Sequence, residues 1–364
     1  MKNNFLSFYA VGKDNNFNLL RFFAATLVLF SHSFALSIGH SSAEPLYTSL
    51  GVTFGSMAVD IFFITSGFLV TASLLNRGNI FAFVWARFLR IYPALLVSVT
   101  FCVFIVGLYF TSLPYDDYLG DYEIYRFFVK NIILLDGIDY SLPGVFENIP
   151  YRNAVNGSLW TLPFELKAYI LLALIGTVYL SFKDWIKRVL FESLLVLMGL
   201  VGMSLYMIDH YIPIADTMTL KLFSMFFIGS AYYILKDKII ISKKFFWIIA
   251  IIIGLSTYDK EIFFITYTLG IAYMVLYFSY VPSGQIRRFN KFGDYSYGLY
   301  IYAFPIQQSV AALIPNVSVL EMFVFSFSVT LILSVLSWHF VEKRFLNFKD
   351  KYIVVQNLVT FEKK

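Results

Sequence analysis

Ten stretches of this chain carry little or no charge and are long enough to cross a bilayer, which takes about 20 helical residues. They run over roughly 18–38, 51–75, 91–112, 158–182, 189–208, 217–235, 245–257, 262–280, 295–313 and 319–340. The seventh is the shortest. Inside hydrocarbon a backbone amide finds no water, so a spanning segment is either a helix or a strand of a closed barrel. A barrel strand alternates apolar and polar residues, and LVLMGL at 195–200 does not alternate. The breaks between runs hold Gly, Pro, Asn and charge, as connections do. The expectation is an all-α integral membrane protein of about ten transmembrane helices. It forms one domain over residues 1–346, followed by a short tail, 347–364. Composition agrees: 59% of the 364 residues are apolar and 14% charged, against about 25% charged in soluble proteins. A soluble enzyme, a disordered chain and a secreted scaffold are excluded, and the single Cys102 excludes a disulfide framework.

Lys and Arg set the orientation, because cytoplasmic loops collect them. With the N-terminus inside, 22 of the 28 fall in inner segments; only Arg126, Lys130, Arg152 and Lys260 fall in outer loops. Lys2, Lys13, Lys183, Lys187, Arg188 and the terminal Lys351, Lys363 and Lys364 all belong to the inner set. Both termini are therefore expected in the cytoplasm. The net charge of +5 is topological and does not indicate a nucleic-acid partner. The first run contains His32 and lacks a small-residue exit, so it reads as a span and not as a cleaved signal. Residues 113–157 are the longest outer piece and hold an amphipathic stretch, YRFFVKNIILL, expected to lie on the membrane or re-enter it.

An ionisable side chain near the bilayer centre costs about 2.5–3.5 kcal/mol, so such residues mark function. Arg21 and His32 are eleven residues apart, three turns plus about 20°, hence on one helix face and about 16 Å apart along the axis. Asn18 and Ala25 share that face. From the span ends, His32, Asp60, Glu165, Lys167 and Gln307 fall in one layer of the outer half, about 9–13 Å deep. A carboxylate there needs a partner, and His32 or Lys167 is the expected one. On the inner side Arg87 and Arg90 are i,i+3 and, with Arg77, form an anion-seeking patch. Gly51–Gly55 matches a small-xxx-small packing pattern. No spacing suits a metal site and no glycine-rich phosphate loop occurs.

In order along the chain stand Arg21-x10-His32, AVDIFFITSGFLV with Asp60, RFLRIYP with Arg87 and Arg90, and GSLWTLPFELKAY with Ser158, Trp160, Glu165 and Lys167. DYSYGLYIYAFPIQQ and SWHFVEKRF follow. This series, from about residue 14 to 346, resembles acyltransferase family 3, polytopic membrane acyltransferases that commonly O-acetylate bacterial surface saccharides. The chain departs from the family at Ala86, where an arginine doublet usually begins, and at Tyr302-Ala303-Phe304-Pro305, where many members have His-Trp-Pro. Arg344 stands where many have Pro. Some relatives carry a hydrolase-like domain after the last span; a chain ending at Lys364 is expected to be the stand-alone form.

The resemblance implies transfer of an acetyl or other short acyl group from cytosolic acetyl-CoA, a co-substrate and not a resident cofactor. The acceptor would be a hydroxyl of an extracytoplasmic saccharide such as O-antigen, and the location the bacterial inner membrane. On this reading Arg87 and Arg90, with Arg21, hold the phosphorylated head of the donor. His32 is the general base, since imidazole titrates near neutrality, with Glu165 or Asp60 orienting it. Ser158, Trp160, Lys167, Tyr300 and Gln307 are expected to serve the acceptor or the oxyanion. Direct transfer and an acyl-histidine both fit. The rival reading is a proton-coupled transporter or lipid-linked saccharide flippase with His32, Asp60 and Glu165 as relay.

Overall fold

Caps and glycines in the loops divide the apolar runs into helices. The computed structural model describes residues 4–12, 14–181 and 185–349; Lys2, Lys13, Lys183 and the tail from 350, with Lys351, Lys363 and Lys364, lie outside them. Among the described residues eleven helices of twelve residues or more carry the fold: α1 (Phe17–Ile38), α2 (Phe54–Arg77), α3 (Ile80–Phe101), α4 (Tyr122–Ile133), α5 (Leu162–Ser181), α6 (Trp185–Tyr211), α7 (Thr217–Ile234), α8 (Lys243–Ser256), α9 (Lys260–Tyr280), α10 (Ser296–Leu313) and α11 (Val319–Ser337). Thr53 and Ser56 form a capping box that starts α2, and Gly78, at φ 60°, ends it in the left-handed conformation. Asn79 then caps α3 by accepting from Ala82 N. Among the described residues the only β pairing is two isolated bridges.

Seven helical segments of the described residues are long and apolar enough to cross a membrane: Phe17–Ile38, Phe54–Arg77, Ile80–Phe110, Gly157–Leu180, Val189–Tyr211, Lys260–Tyr280 and Val319–Lys349. The other three expected spans are helices too. Lys221 lies within α7, α8 has 14 residues, and α10 carries Gln307, Gln308 and several tyrosines. The third helix differs from expectation. It begins at Ile80 and not near 91, because the Asn79 cap starts it and its interior arginines do not stop it. Arg87 and Arg90 therefore lie two turns inside a helix, where a cytoplasmic segment was expected. The amphipathic stretch forms α4, which buries Ile124, Phe127 and Asn131 and exposes Tyr122, Tyr125 and Val129.

The chain divides into two compact units, each gathered from three stretches: Met1–Ala24, Pro45–Gly78 and Ile170–Gly293 in the first; Ala25–Glu44, Asn79–Tyr169 and Asp294–Lys364 in the second. In the first unit α2 and α7 meet backbone to backbone. A Cβ on Gly67 would come within 1.8 Å of Phe226 O, and one on Gly229 within 2.2 Å of Ile64 O. Small residues permit this approach where lipid leaves helices no hydrophobic reason to associate. Gly51–Gly55 does not serve that purpose: Gly51 sits in the loop before α2, at φ 70°, with nothing near its Cβ position. Phe68 packs among Phe17, Tyr233 and Tyr280.

In the second unit α10 is buried along nearly its whole length. Gly298 lies against Ser334 of α11, where an added Cβ would be 2.9 Å from Ser334 Cα. Pro305 lacks an N–H, which frees the carbonyl of Ile301 one turn earlier. Ser98 Oγ at 3.2 Å and Asn156 Nδ2 at 2.9 Å donate to that oxygen. The same Asn156 amide lies 3.8 Å from the Sγ of Cys102, which is fully buried. Gln308 Nε2 donates to Tyr151 O and Ala154 O, at 2.8 and 2.6 Å, and pins the loop that enters the Gly157–Thr161 turn.

Candidate active site

His32 sits near the C-terminal end of α1, among second-unit residues. The side chain is half-buried, and its Nδ1 is buried with no hydrogen-bond partner. Its ring meets Phe304 of α10 edge to face, with centroids 5.3 Å apart. Phe304 also covers Gly157, where an added Cβ would fall 2.5 Å from the ring. One phenyl ring thus touches both the imidazole and the turn that leads into α5. Beside His32, Gln307 Nε2 donates to Leu29 O at 2.8 Å and to Ser33 Oγ at 2.9 Å. Both amide protons are then in use, and Gln307 is completely buried. Glu44, also buried, accepts from Ser31.

Along residues 156–169 and α3, all in the same unit, runs a polar series. Asn156 Oδ1 accepts from Ser158 N at 3.2 Å, while the Ser158 hydroxyl is buried without a partner. Thr161 and Tyr300 share a 2.5 Å hydrogen bond between hydroxyls. One turn further, Glu165 accepts from Tyr169. The Tyr169 ring lies 5.8 Å from the guanidinium carbon of Arg87, which also feels the charge of Glu165. Arg87 Nε is buried and has no hydrogen-bond partner. Arg90, one turn on, is fully engaged. It donates to Asp294 at 2.6 Å and to Glu342 at 3.3 Å, and Glu342 accepts from Ser337 at 3.1 Å. The carboxylates of that cluster are almost inaccessible.

Asp60, in the first unit, is fully buried on α2. Lys221 Nζ of α7 lies 3.0 Å from its Oδ1, and Tyr267 of α9 donates to its Oδ2 at 3.0 Å. Arg21 lies over the Phe62 ring at 5.9 Å.

Several expectations change. Among the described residues no carboxylate orients His32: Glu165 accepts from Tyr169, Asp60 meets Lys221 and Tyr267, and Nδ1 has no partner. Lys167 is exposed, its ammonium 6.0 Å from Phe164, and does not neutralise a carboxylate. Gln307 is a buried clamp between α10 and α1, which leaves no donor for an acceptor sugar. Arg90 is neutralised by two carboxylates, so Arg87 is the arginine of the pair with capacity to spare. Trp160 is half-buried against Phe164. Lys221, Tyr169, Asp294, Glu342 and Phe304 were missed. Lys221 was visible as a lysine within a span, but sequence depth does not say which helices adjoin. Among the described residues no three His, Cys, Asp or Glu are grouped to hold a metal ion.

Fold and site together define a multi-pass helical membrane protein with a largely buried imidazole and a buried arginine–carboxylate network. The acyltransferase family 3 model, described as an acyltransferase domain, matches residues 14–339, and the chain belongs to that family. It is 28% identical over 346 residues to an O-acetyl transferase of Shigella phage Sf6, covering 92% of this chain and 96% of that protein. It is 29% identical over 258 residues to nodulation protein 10 of Rhizobium leguminosarum bv. viciae, covering 66% of each. No solved structure matches it.

Proposed function

We propose that this membrane acyltransferase is an O-acyltransferase of the bacterial cytoplasmic membrane. It moves an acetyl or similar short acyl group from cytosolic acetyl-CoA to a hydroxyl of an extracytoplasmic saccharide, such as a unit of O-antigen or another surface polysaccharide. Support comes from the family, from the Sf6 relative's printed name, and above all from one observation. His32 is an imidazole on a membrane helix that keeps exposed surface and has a ring nitrogen without a partner.

A sugar hydroxyl is a weak nucleophile at neutral pH and needs a base. His32 takes the hydroxyl proton as the oxygen attacks the thioester carbonyl carbon. The carbon–sulfur bond then breaks, and the proton passes to the departing thiolate. Ser158, whose buried hydroxyl is otherwise unpaired, supplies a donor for the developing oxyanion. The Tyr300 hydroxyl is already bonded to Thr161 and serves to hold α5 against α10. Arg87 meets the donor phosphates. Arginine suits them because its planar fork gives two parallel hydrogen bonds. Arg90 holds the segment that carries Arg87. The test is release of the CoA thiol from acetyl-CoA by purified protein with a saccharide acceptor. His32→Ala is expected to abolish it while the protein inserts normally; wild-type turnover in that variant would remove His32 from the chemistry.

A further inference from the structure

A basic imidazole in an enzyme usually has its second nitrogen fixed by a carboxylate or carbonyl. His32 has neither at Nδ1. Two residues of α10 hold this part of α1. Phe304 presents its ring to the imidazole, and Gln307, three residues on, grips α1 on either side of His32 in sequence, at Leu29 O and Ser33 Oγ. Ser33 Oγ itself donates to Leu29 O at 2.9 Å, which closes a triangle of hydrogen bonds between α10 and α1. Residues three apart on a helix lie on one side, so the two contacts act as a unit.

The α10 face is itself held. Pro305 immediately follows Phe304, and the carbonyl it frees is captured by Ser98 and Asn156. Gly157 has no side chain, and the phenyl ring occupies that space. Gln308 ties the next position to the 151–154 loop. This stretch of helix is thus fixed at four residues, Ile301, Phe304, Gln307 and Gln308, over about two turns.

We infer that Phe304 and Gln307 are positioning residues for His32: an aromatic wall and an amide clamp set the imidazole in place where a carboxylate would ordinarily do so. This rests on His32 being the base. Neither residue touches substrate; each acts through the ring or through the helix that carries it. A base displaced by about 1 Å costs up to about 100-fold in rate. The loss should fall on kcat, since donor and acceptor binding use other groups.

Phe304→Leu keeps apolar volume but removes the flat wall, and Phe304→Trp keeps the wall. Gln307→Leu removes both donors to α1. In detergent-purified full-length protein, Phe304→Leu and Gln307→Leu are expected to lower kcat about 10- to 100-fold, with KM for acetyl-CoA and for the saccharide within about twofold. Phe304→Trp is expected to recover most of the rate. Wild-type kcat in Phe304→Leu, or a loss confined to KM, would overturn the assignment while His32→Ala stays inactive. Activity in His32→Ala would instead overturn the base itself. Should Gln307→Leu fail to fold, the Leu and Trp variants at 304 decide the matter, aided by the rate at which diethyl pyrocarbonate modifies the His32 peptide. That rate is expected to rise in Phe304→Leu and return in Phe304→Trp; an unchanged rate in Phe304→Leu counts against the wall.

Discussion

Single side chains separate the two arginines of α3. Arg90 is enclosed by Asp294 and Glu342, the latter 2% exposed, so removing the guanidinium strands two buried carboxylates. Breaking a buried pair costs about 3–5 kcal/mol, and Arg90→Met is expected to lower the thermal midpoint sharply in a dye-based unfolding assay. Arg87 is not enclosed in this way: it lies against Tyr169 and feels Glu165. Arg87→Met is expected to leave the midpoint nearly unchanged and to raise KM for acetyl-CoA about 10-fold or more, the loss of one or two charge-assisted hydrogen bonds. Asp60 follows the same logic as Arg90. Lys221→Met leaves a buried carboxylate unpaired, whereas Asp60→Leu with Lys221→Met removes both charges and should be the more stable of the two variants. Sequence placed Asp60 and Lys221 within their helices, though not Arg87 and Arg90 within α3. It failed on their partners, because a rise of about 1.5 Å per residue fixes depth and leaves the neighbouring helix undetermined. Asp60 and Lys221 are 161 positions apart in the chain, and no periodicity joins them.

At the scale of helices, the α2–α7 crossing depends on two missing side chains. Gly67→Ala would place a methyl 1.8 Å from a backbone oxygen, which no rotamer relieves. The crossing must open, at about 1–3 kcal/mol or more, and the yield of folded protein in size-exclusion chromatography is expected to fall. Gly51→Ala, in open space but at positive φ, should cost about 1 kcal/mol through backbone strain alone. Why was the packing glycine misplaced in sequence? A small-xxx-small pattern records spacing and not the face that meets a neighbour, and Gly67 and Gly229 pair across two separate helices. The helices themselves were legible, nine of the ten beginning within about four residues of their apolar runs. The third was not, because Arg87 and Arg90 interrupt the apolar run while an asparagine cap and good helix formers carry the backbone through. Pro305 was visible too, but the freed Ile301 carbonyl and its capture by Asn156 are matters of tertiary structure. Asn156→Ala should lower stability by about 1–3 kcal/mol by leaving that oxygen short of a donor.

Over the molecule as a whole, orientation is the claim most exposed to test. On the orientation expected from the basic residues, the α9–α10 connection, with Arg287, Arg288 and Lys291, is cytoplasmic, and the α8–α9 loop, with Tyr258, is outside. Alkaline phosphatase, active only outside the cytoplasm, is expected to be active when fused after Tyr258 and silent when fused after Arg288. The reverse pattern would invert the route proposed for the donor. A last consequence concerns redox chemistry. The sole sulfhydryl, Cys102, has no exposed surface and lies against the Asn156 amide. The protein therefore offers no accessible thiol for a mixed disulfide with a thiol coenzyme, and nothing for peroxide to oxidise at cysteine. Turnover should survive an oxidising envelope as readily as a reducing cytosol.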